Sequence, residues 1–378
     1  MRTVKWNAFL SCLCGFAVAL GGVAAIARAD VTVDKGSSIL IFPKVIADGT
    51  FDTIIQIANT GNSMVAARCF YVNNSQGQCQ ETDFDIFLTK QQPTHWQVSN
   101  GRPSLTGVFG GKWGINDAGL TPGHVPPVGI GILGGAPFRG ELKCVEIDPF
   151  TGMPWTGNHL KGEATIKSLG NIAGSLEGNV NLGTTEGDVS KYNAIGILGN
   201  PNAQPANPLL LDGGTTYNAC PAKLILNHFA TGAVDPVVGD GSANFTELTL
   251  MPCREDFENQ IPASSTLQIL VFNEFEEVFS SSITVTCVTS LELTKIDTKF
   301  GDPTRSVFGI SVLGTPVAQT QITPVEVSRA TSGVVGVAER IVGAPQGWAR
   351  GAYNIHHDGQ FVPQSGADTI YLPADFAW

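Results

Sequence analysis

Short runs in which β-branched and apolar residues alternate with polar ones recur along this chain, each stopped by Gly, Pro, Asn or Asp. Phe51–Ala58 (FDTIIQIA), Met64–Asn73 (MVAARCFYVN), Asp83–Thr89 (DFDIFLT), Glu141–Asp148 (ELKCVEID) and Lys161–Ile166 (KGEATI) have this form. A side-chain period of two is what a half-buried strand requires, because successive side chains point to opposite faces. Apolar residues at helical spacing are hard to find over windows of about eleven residues. Ala222–Phe229 is the nearest helical candidate and reads equally well as a strand. Ser38–Phe42 is an apolar run stopped by Pro43, and Asn59-Thr60-Gly61-Asn62 predicts a hairpin between the runs on either side. The chain is therefore expected to be all-β, as two antiparallel β-sandwich domains with long Gly/Pro-rich loops.

The first 29 residues read as a secretory signal peptide. Arg2 and Lys5 precede an apolar stretch from Ala8 to Ile26, and Ala27-Arg28-Ala29 is a small-residue cleavage site, with Asp30 as the mature N-terminus. The stretch is long enough for a membrane anchor, but the cleavage site directly after it favours removal, and Cys12 and Cys14 leave with it. The mature chain then has 349 residues, with 19 basic against 33 acidic and a net charge of −14. That balance opposes phosphate-backbone binding, so no nucleic acid partner is expected. No later apolar run is long and unbroken enough to give the mature chain a transmembrane segment.

Six cysteines remain: Cys69, Cys79, Cys144, Cys220, Cys253 and Cys287. An even number in an exported chain points to disulfides. Cys69 and Cys79 flank the turn-rich Asn73-Asn74-Ser75-Gln76-Gly77, which suits a hairpin staple. If Cys253 pairs with Cys287, then Cys144 and Cys220 link the two halves. No C-x-x-C pair and no His at ligand spacing from a Cys exists, so zinc is not expected.

A chain of 349 residues exceeds the size at which one core keeps growing. The division expected is a signal peptide at 1–29, an N-terminal β-sandwich at 30–195, a loop-rich boundary at 196–214 and a C-terminal β-sandwich at 215–378. The boundary holds Asn200-Pro201, Pro205, Pro208 and Gly213-Gly214, and a longer Gly/Pro-rich loop runs from Gly101 to Gly140. There is an internal echo. ILIFP (39–43), TIIQIAN (53–59) and Cys69 are matched in order by LTLMP (248–252), TLQILVFN (266–273) and Cys287. Duplication of one sandwich module is the reading this favours.

The IANTGN segment between two β-branched strands resembles the hairpin of immunoglobulin-like modules in secreted bacterial surface proteins. The wider set FYVNN, ETDFDIFLT, GELKCVEID, YNACP and LILNHF is similar to an uncharacterised family of exported bacterial β-rich proteins, over most of the mature chain. The resemblance implies immunoglobulin-like sandwiches and export. It implies no activity and supplies no catalytic residue.

Motifs that carry chemistry are sparse. Gly129-Ile130-Gly131-Ile132-Leu133-Gly134 matches G-x-G-x-x-G, but Pro126-Pro127 precede it and Gly135, Pro137 and Gly140 follow, where a dinucleotide site needs a strand and then a helix. No cofactor is expected. The histidines His95, His124, His159, His228, His356 and His357 fall in no hydrolase or metal motif. His356-His357-Asp358 reads as part of a turn, since neighbouring strand residues face opposite ways. Asp235, Asp240, Ser242 and Asn244, around Gly239 and Gly241, are weak calcium candidates in an otherwise plain acidic turn. Glu274, Glu276 and Glu277 form an acidic cluster without a visible partner carboxylate.

With no catalytic residue to name, the function expected is a non-catalytic exported protein acting in binding, adhesion or cell-surface structure. Its location would be periplasmic, cell-surface or extracellular, and its partner an unidentified protein or glycan. The alternatives are a secreted hydrolase or carbohydrate-active enzyme and, third, an outer-membrane barrel, for which the C-terminal IYLPADFAW has a suitable aromatic end.

Overall fold

The computed structural model describes residues 31–102, 125–130, 135–169, 175–176, 180–181, 187–297, 316–326, 331–345, 347–363 and 366–373. In the N-terminal half the strands are β1 (Val31–Thr32), β2 (Ile39–Ala47), β3 (Phe51–Asn59), β4 (Val65–Asn73), β5 (Gln80–Leu88), β6 (Pro93–Gln97), β7 (Phe138–Ile147), β8 (Leu160–Ser168), β9 (Ser175–Leu176), β10 (Val180–Asn181), β11 (Gly187–Asn193) and β12 (Ile195–Ile197). The C-terminal half holds β13 (Leu209–Leu211), β14 (Lys223–Phe229), β15 (Ala243–Pro252), β16 (Glu255–Asp256), β17 (Ser264–Asn273), β18 (Val278–Thr286) and β19 (Thr289–Glu292). A single helical turn, α1 (Leu293–Ile296), precedes β20 (Val317–Pro324), β21 (Val334–Ala344), β22 (Gly347–Asn354), β23 (His356–Asp358) and β24 (Asp368–Tyr371). The all-β expectation is met, and almost every strand pair is antiparallel.

The N-terminal strands follow the order β11-β8-β3-β2-β7-β4-β5, with β6 on β3 and β12 between β1 and β2. β2 and β3 share one residue pair, Ala47 with Asp52, so the path turns a corner there. The two limbs then face each other across a core in which Ile55, Ile57 and Ile166 meet Phe42, Tyr71 and Leu142. The Trp96 indole N–H of β6 donates to the Tyr71 hydroxyl of β4 at 2.6 Å, across that gap.

The limb β2-β7-β4 is buried on its other face too. Ile41, Phe70, Val72 and Val145 pack there against Leu209, Met251, Phe257 and Ile370 of the C-terminal half. Phe70 and Phe257 stack with centroids 3.9 Å apart and planes 7° from parallel. Burial on both faces is why β2 reads as a nearly continuous apolar run, whereas one-sided strands alternate. Pro43 does not end β2. The strand bulges between Phe42 and Val45, and Tyr192 satisfies the freed backbone: the Lys44 N–H donates to its hydroxyl at 3.1 Å, and the hydroxyl donates to the Lys44 carbonyl.

The C-terminal half pairs a five-stranded sheet, β18-β17-β20-β14-β23, with a four-stranded sheet, β19-β15-β21-β22. Leu226, Ile269 and Ile322 of the first meet Leu248, Leu250 and Ala338 of the second. A three-stranded sheet, β13-β24-β16, lies against the N-terminal half and contains the parallel pair β16–β24. These sheets have free edges and do not close into a barrel among the described residues. No helix among them is long and apolar enough to cross a membrane.

Buried ions join the halves. Lys44, whose side chain is 4% exposed, pairs with Glu247 of β15 and with Glu339 of β21 (1% exposed), and Arg350 of β22 also pairs with Glu339. Lys143 of β7 reaches Glu255 of β16 at 2.6 Å and Glu141 at 3.2 Å. Burial holds the Glu141 carboxyl well above the usual carboxylate range.

Several sequence expectations are corrected. The six cysteines from Cys69 to Cys287 are all in disulfides, but none of the expected pairings forms. The bonds are Cys69–Cys144, Cys79–Cys287 and Cys220–Cys253. Cys69 lies in mid-β4, directly across from Cys144 on β7, and both face the core. Cys79 sits at the end of the β4–β5 hairpin and turns to the C-terminal half, so Cys79–Cys287 is the bond that links the halves. IANTGN is not a hairpin, since β3 pairs with β8 and β6 and not with β4. Asn59 ties this crossing between layers instead, its Nδ2 donating to the Ser63 and Thr89 carbonyls at 2.7 and 3.0 Å. Ala222–Phe229 is a strand, β14. The strands of the internal echo are paired differently: β2 and β3 share a sheet whereas β15 and β17 do not, and β4 pairs with β7 and β5 whereas β18 pairs with β17.

Candidate functional site

A cleft of about 1000 Å³ opens where the ends of β14, β17 and β20 approach β21 and β22. Strand register sets its lining. Phe272 of β17 lies beside Gln319 of β20, and Gln319 lies beside Asn227 of β14. The amides form a ladder in which Gln321 Nε2 donates to Gln319 Oε1 at 3.0 Å and Gln319 Nε2 donates to Asn227 Oδ1 at 3.1 Å. In the other sheet Arg340 of β21 lies between Thr246 of β15 and Gly351 of β22, and Tyr353 lies beside Ala338. Nothing stands within 4 Å of the position a Cβ would take at Gly351, so this glycine leaves open space in the lining.

Arg340 is held by the protein through two of its three nitrogens. Its guanidinium lies over the Phe229 ring, 4.1 Å from the centroid, its Nε donates to Asn244 Oδ1 at 2.8 Å, and its Nη2 pairs with Asp235. Asp235 also accepts from the backbone N–H groups of Val238 and Val237, at 2.9 and 2.8 Å. These bonds, with Arg340, hold its carboxyl below the usual range. The weak calcium candidates are thereby accounted for: Asp235 and Asn244 do converge, but on a guanidinium, and Asp240 lies exposed on the turn between them. No cluster of metal-binding residues forms among the described residues.

His228 lines the cleft but is saturated. Its Nδ1 is 2.9 Å from the Phe229 carbonyl and its Nε2 is 2.8 Å from the Thr320 hydroxyl. Burial pushes it down to about 4, so the ring is neutral at neutral pH. Glu274 and Glu276 stand exposed on the β17–β18 turn at the rim. They are the only carboxylates in the described lining.

The other histidines are dispersed. His95 is exposed on β6, and His356 and His357 lie on opposite faces of β23, the first exposed and the second pushed down to about 4 by burial. His124 lies outside the described residues, as do residues 103–124 and 131–134 of the Gly101–Gly140 loop and thus most of the G-x-G-x-x-G motif. Gly129 is described: its φ is +87°, and an added Cβ would strike the Ala47 carbonyl. His159 holds its Nδ1 2.6 Å from Glu146 Oε1, and this bond raises its pKa. A raised imidazole pKa stabilises the fold below the ordinary value of 6.5, and that stability is lost as pH rises through the folded value. The melting-temperature deficit of His159→Gln is therefore expected to be larger at pH 5.5 than at pH 8.5. Equal deficits in thermal melts at the two values would contradict the pairing.

The sequence reading did not single out Asn227, Phe229, Gln319, Gln321, Arg340, Gly351 or Tyr353. Only the alternation of Gln319 with Gln321 hinted at a shared face.

No protein-family model and no curated protein matches this chain. Among solved structures, the N-terminal CBM22-1-CBM22-2 tandem domain from Paenibacillus barcinonensis Xyn10C is similar at 11% identity and a TM-score of 0.19, over 85% of this chain and 90% of that one. The viral chemokine binding protein R17 of rodent gammaherpesvirus Peru is similar at 9% identity and a TM-score of 0.14, over 86% of each chain. Overlap this slight carries no argument about function.

Proposed function

We propose that the chain is an exported, non-catalytic binding protein whose C-terminal cleft takes a neutral oligosaccharide. The observation that carries this reading is the lining: the rings of Phe229, Phe272 and Tyr353 beside an amide ladder, with both described cations, Arg340 and Arg350, already paired. Sugars present apolar C–H faces to aromatic rings and hydroxyls that both donate and accept. The ladder ends in an amide N–H at Asn227 and a carbonyl at Gln321, so it serves both directions. Anionic ligands would meet Glu274 and Glu276 at the rim.

Glycoside hydrolysis needs two carboxyl groups flanking the scissile bond. Here both lie on one exposed turn, and His228 has no ring nitrogen to spare, which supports binding over cleavage. Export rests on the reading of residues 1–29 and on all six remaining cysteines being in disulfides. Calorimetric titration of residues 30–378 with neutral and acidic oligosaccharides tests the proposal. Binding of a neutral glycan with a Kd of roughly 1 µM–1 mM is expected, without release of reducing ends. Heats absent for every neutral glycan, or turnover of any, would overturn it.

A further inference from the structure

β18 is an edge strand: it pairs with β17 along nine residues and, among the described residues, with no other strand. Its sequence, VFSSSITVT, holds no charge, no Pro and no Gly. Its backbone makes no hydrogen bond outside the β17 pairing among the described residues, and α1 meets it through Ser281, whose hydroxyl is 3.5 Å from the Ile296 carbonyl. Long uncharged edges are ready templates for a further strand, and proteins ordinarily guard them. The other edges here are guarded or short. β5 carries Glu81, Asp83 and Asp85, β11 carries Lys191, β22 carries Arg350, and β19 and β23 have four and three residues.

We propose that β18 pairs antiparallel with β18 of a second copy of this chain, joining the two five-stranded sheets about a twofold axis at Ser282. Self-pairing in this register sets Ser282 against Ser282, Ser280 against Thr284 and Val278 against Thr286 on one face. On the other it sets Ser281 against Ile283 and Phe279 against Val285. Ser282 meets itself, Ser280 meets Thr284, Phe279 packs on the β-branched Val285, and no like charges oppose. An uncharged edge adds no direct charge repulsion to the association of a chain of net charge −11. The same axis brings the hairpin end of each copy toward the Thr286 end of the other. Phe275 and Val278 are 70% and 52% exposed at the first end, and Ile261 is 58% exposed near the second. Isologous pairing thus covers apolar side chains that a monomer leaves in water.

Sedimentation of residues 30–378 over rising concentration, with Ser282→Lys alongside, tests this. Ser282 is exposed, so the variant keeps its fold, which its melting temperature checks. Wild type is expected to become a dimer, and Ser282→Lys to stay monomeric at every concentration. Ser282→Cys, in a protein with no free thiol among the described residues, is expected to give a covalent dimer on air oxidation, which Asn259→Cys on an exposed turn does not. A wild type monomeric throughout, a dimer that survives Ser282→Lys, or equal crosslinking by the two cysteine variants would overturn the proposal. Each readout is independent of what the cleft binds.

Discussion

Glu339→Gln is expected to cost about 3–5 kcal/mol and to lower the melting temperature by about 5–10 °C. The side chain is almost fully buried and accepts from Lys44, Arg350 and the Ser190 hydroxyl. The amide keeps the shape but removes the charge, leaving two buried cations with Glu247 as their remaining counter-ion. A second route gives a similar magnitude. Burial alone would raise the Glu339 carboxyl, but Lys44 and Arg350 outweigh it and hold the group at about 2 against an ordinary 4.5. That difference corresponds to about 3 kcal/mol. Because the folded value is depressed, this stability is present above about pH 4.5 and fades as pH falls toward 2. Wild type and variant should therefore converge on acidification in denaturant titrations. A constant gap from pH 7 to pH 3 would contradict the account of the ion cluster.

Replacing Cys79 and Cys287 together with Ser is expected to cost about 2–5 kcal/mol. This bond spans 208 residues and joins the β4–β5 hairpin to the bend between β18 and β19, so it restrains the unfolded chain more than the other two do. The halves also share the Phe70–Phe257 stack and the buried ions, so the variant should still fold. Calorimetry should show a lower melting temperature, with both halves still melting together. An unchanged melting temperature would mean that the bond does not form in the protein.

Strand identity was legible because period-two alternation is a local signal. Strand partners were not, because they depend on residues far apart in sequence. FDTIIQIA announced β3 correctly, yet nothing within it distinguishes β8 from β4 as its neighbour. The dense apolar letters of ILIFPKVIA and MVAARCFYVN carried more than was drawn from them, since burial on both faces removes the polar alternation. Cys69 and Cys144 likewise each lie in the middle of a strand run, a placement that fits a cross-strand bond better than a hairpin staple. The cleft was the least legible part. Phe229, Phe272, Gln319, Arg340 and Tyr353 come from five strands, and only register brings them together.

The cleft is tested most directly through Gly351. A side chain there meets open space and not backbone, and its φ is one any residue adopts, so Gly351→Leu fills the cleft without disturbing the core. Calorimetric titration of wild type and Gly351→Leu with the neutral glycan that binds best is the decisive measurement. At least a tenfold loss of affinity, about 1.4 kcal/mol, with an unchanged melting temperature is the result expected. Equal affinity in a variant that folds equally well would place binding elsewhere and contradict the assignment of the cleft.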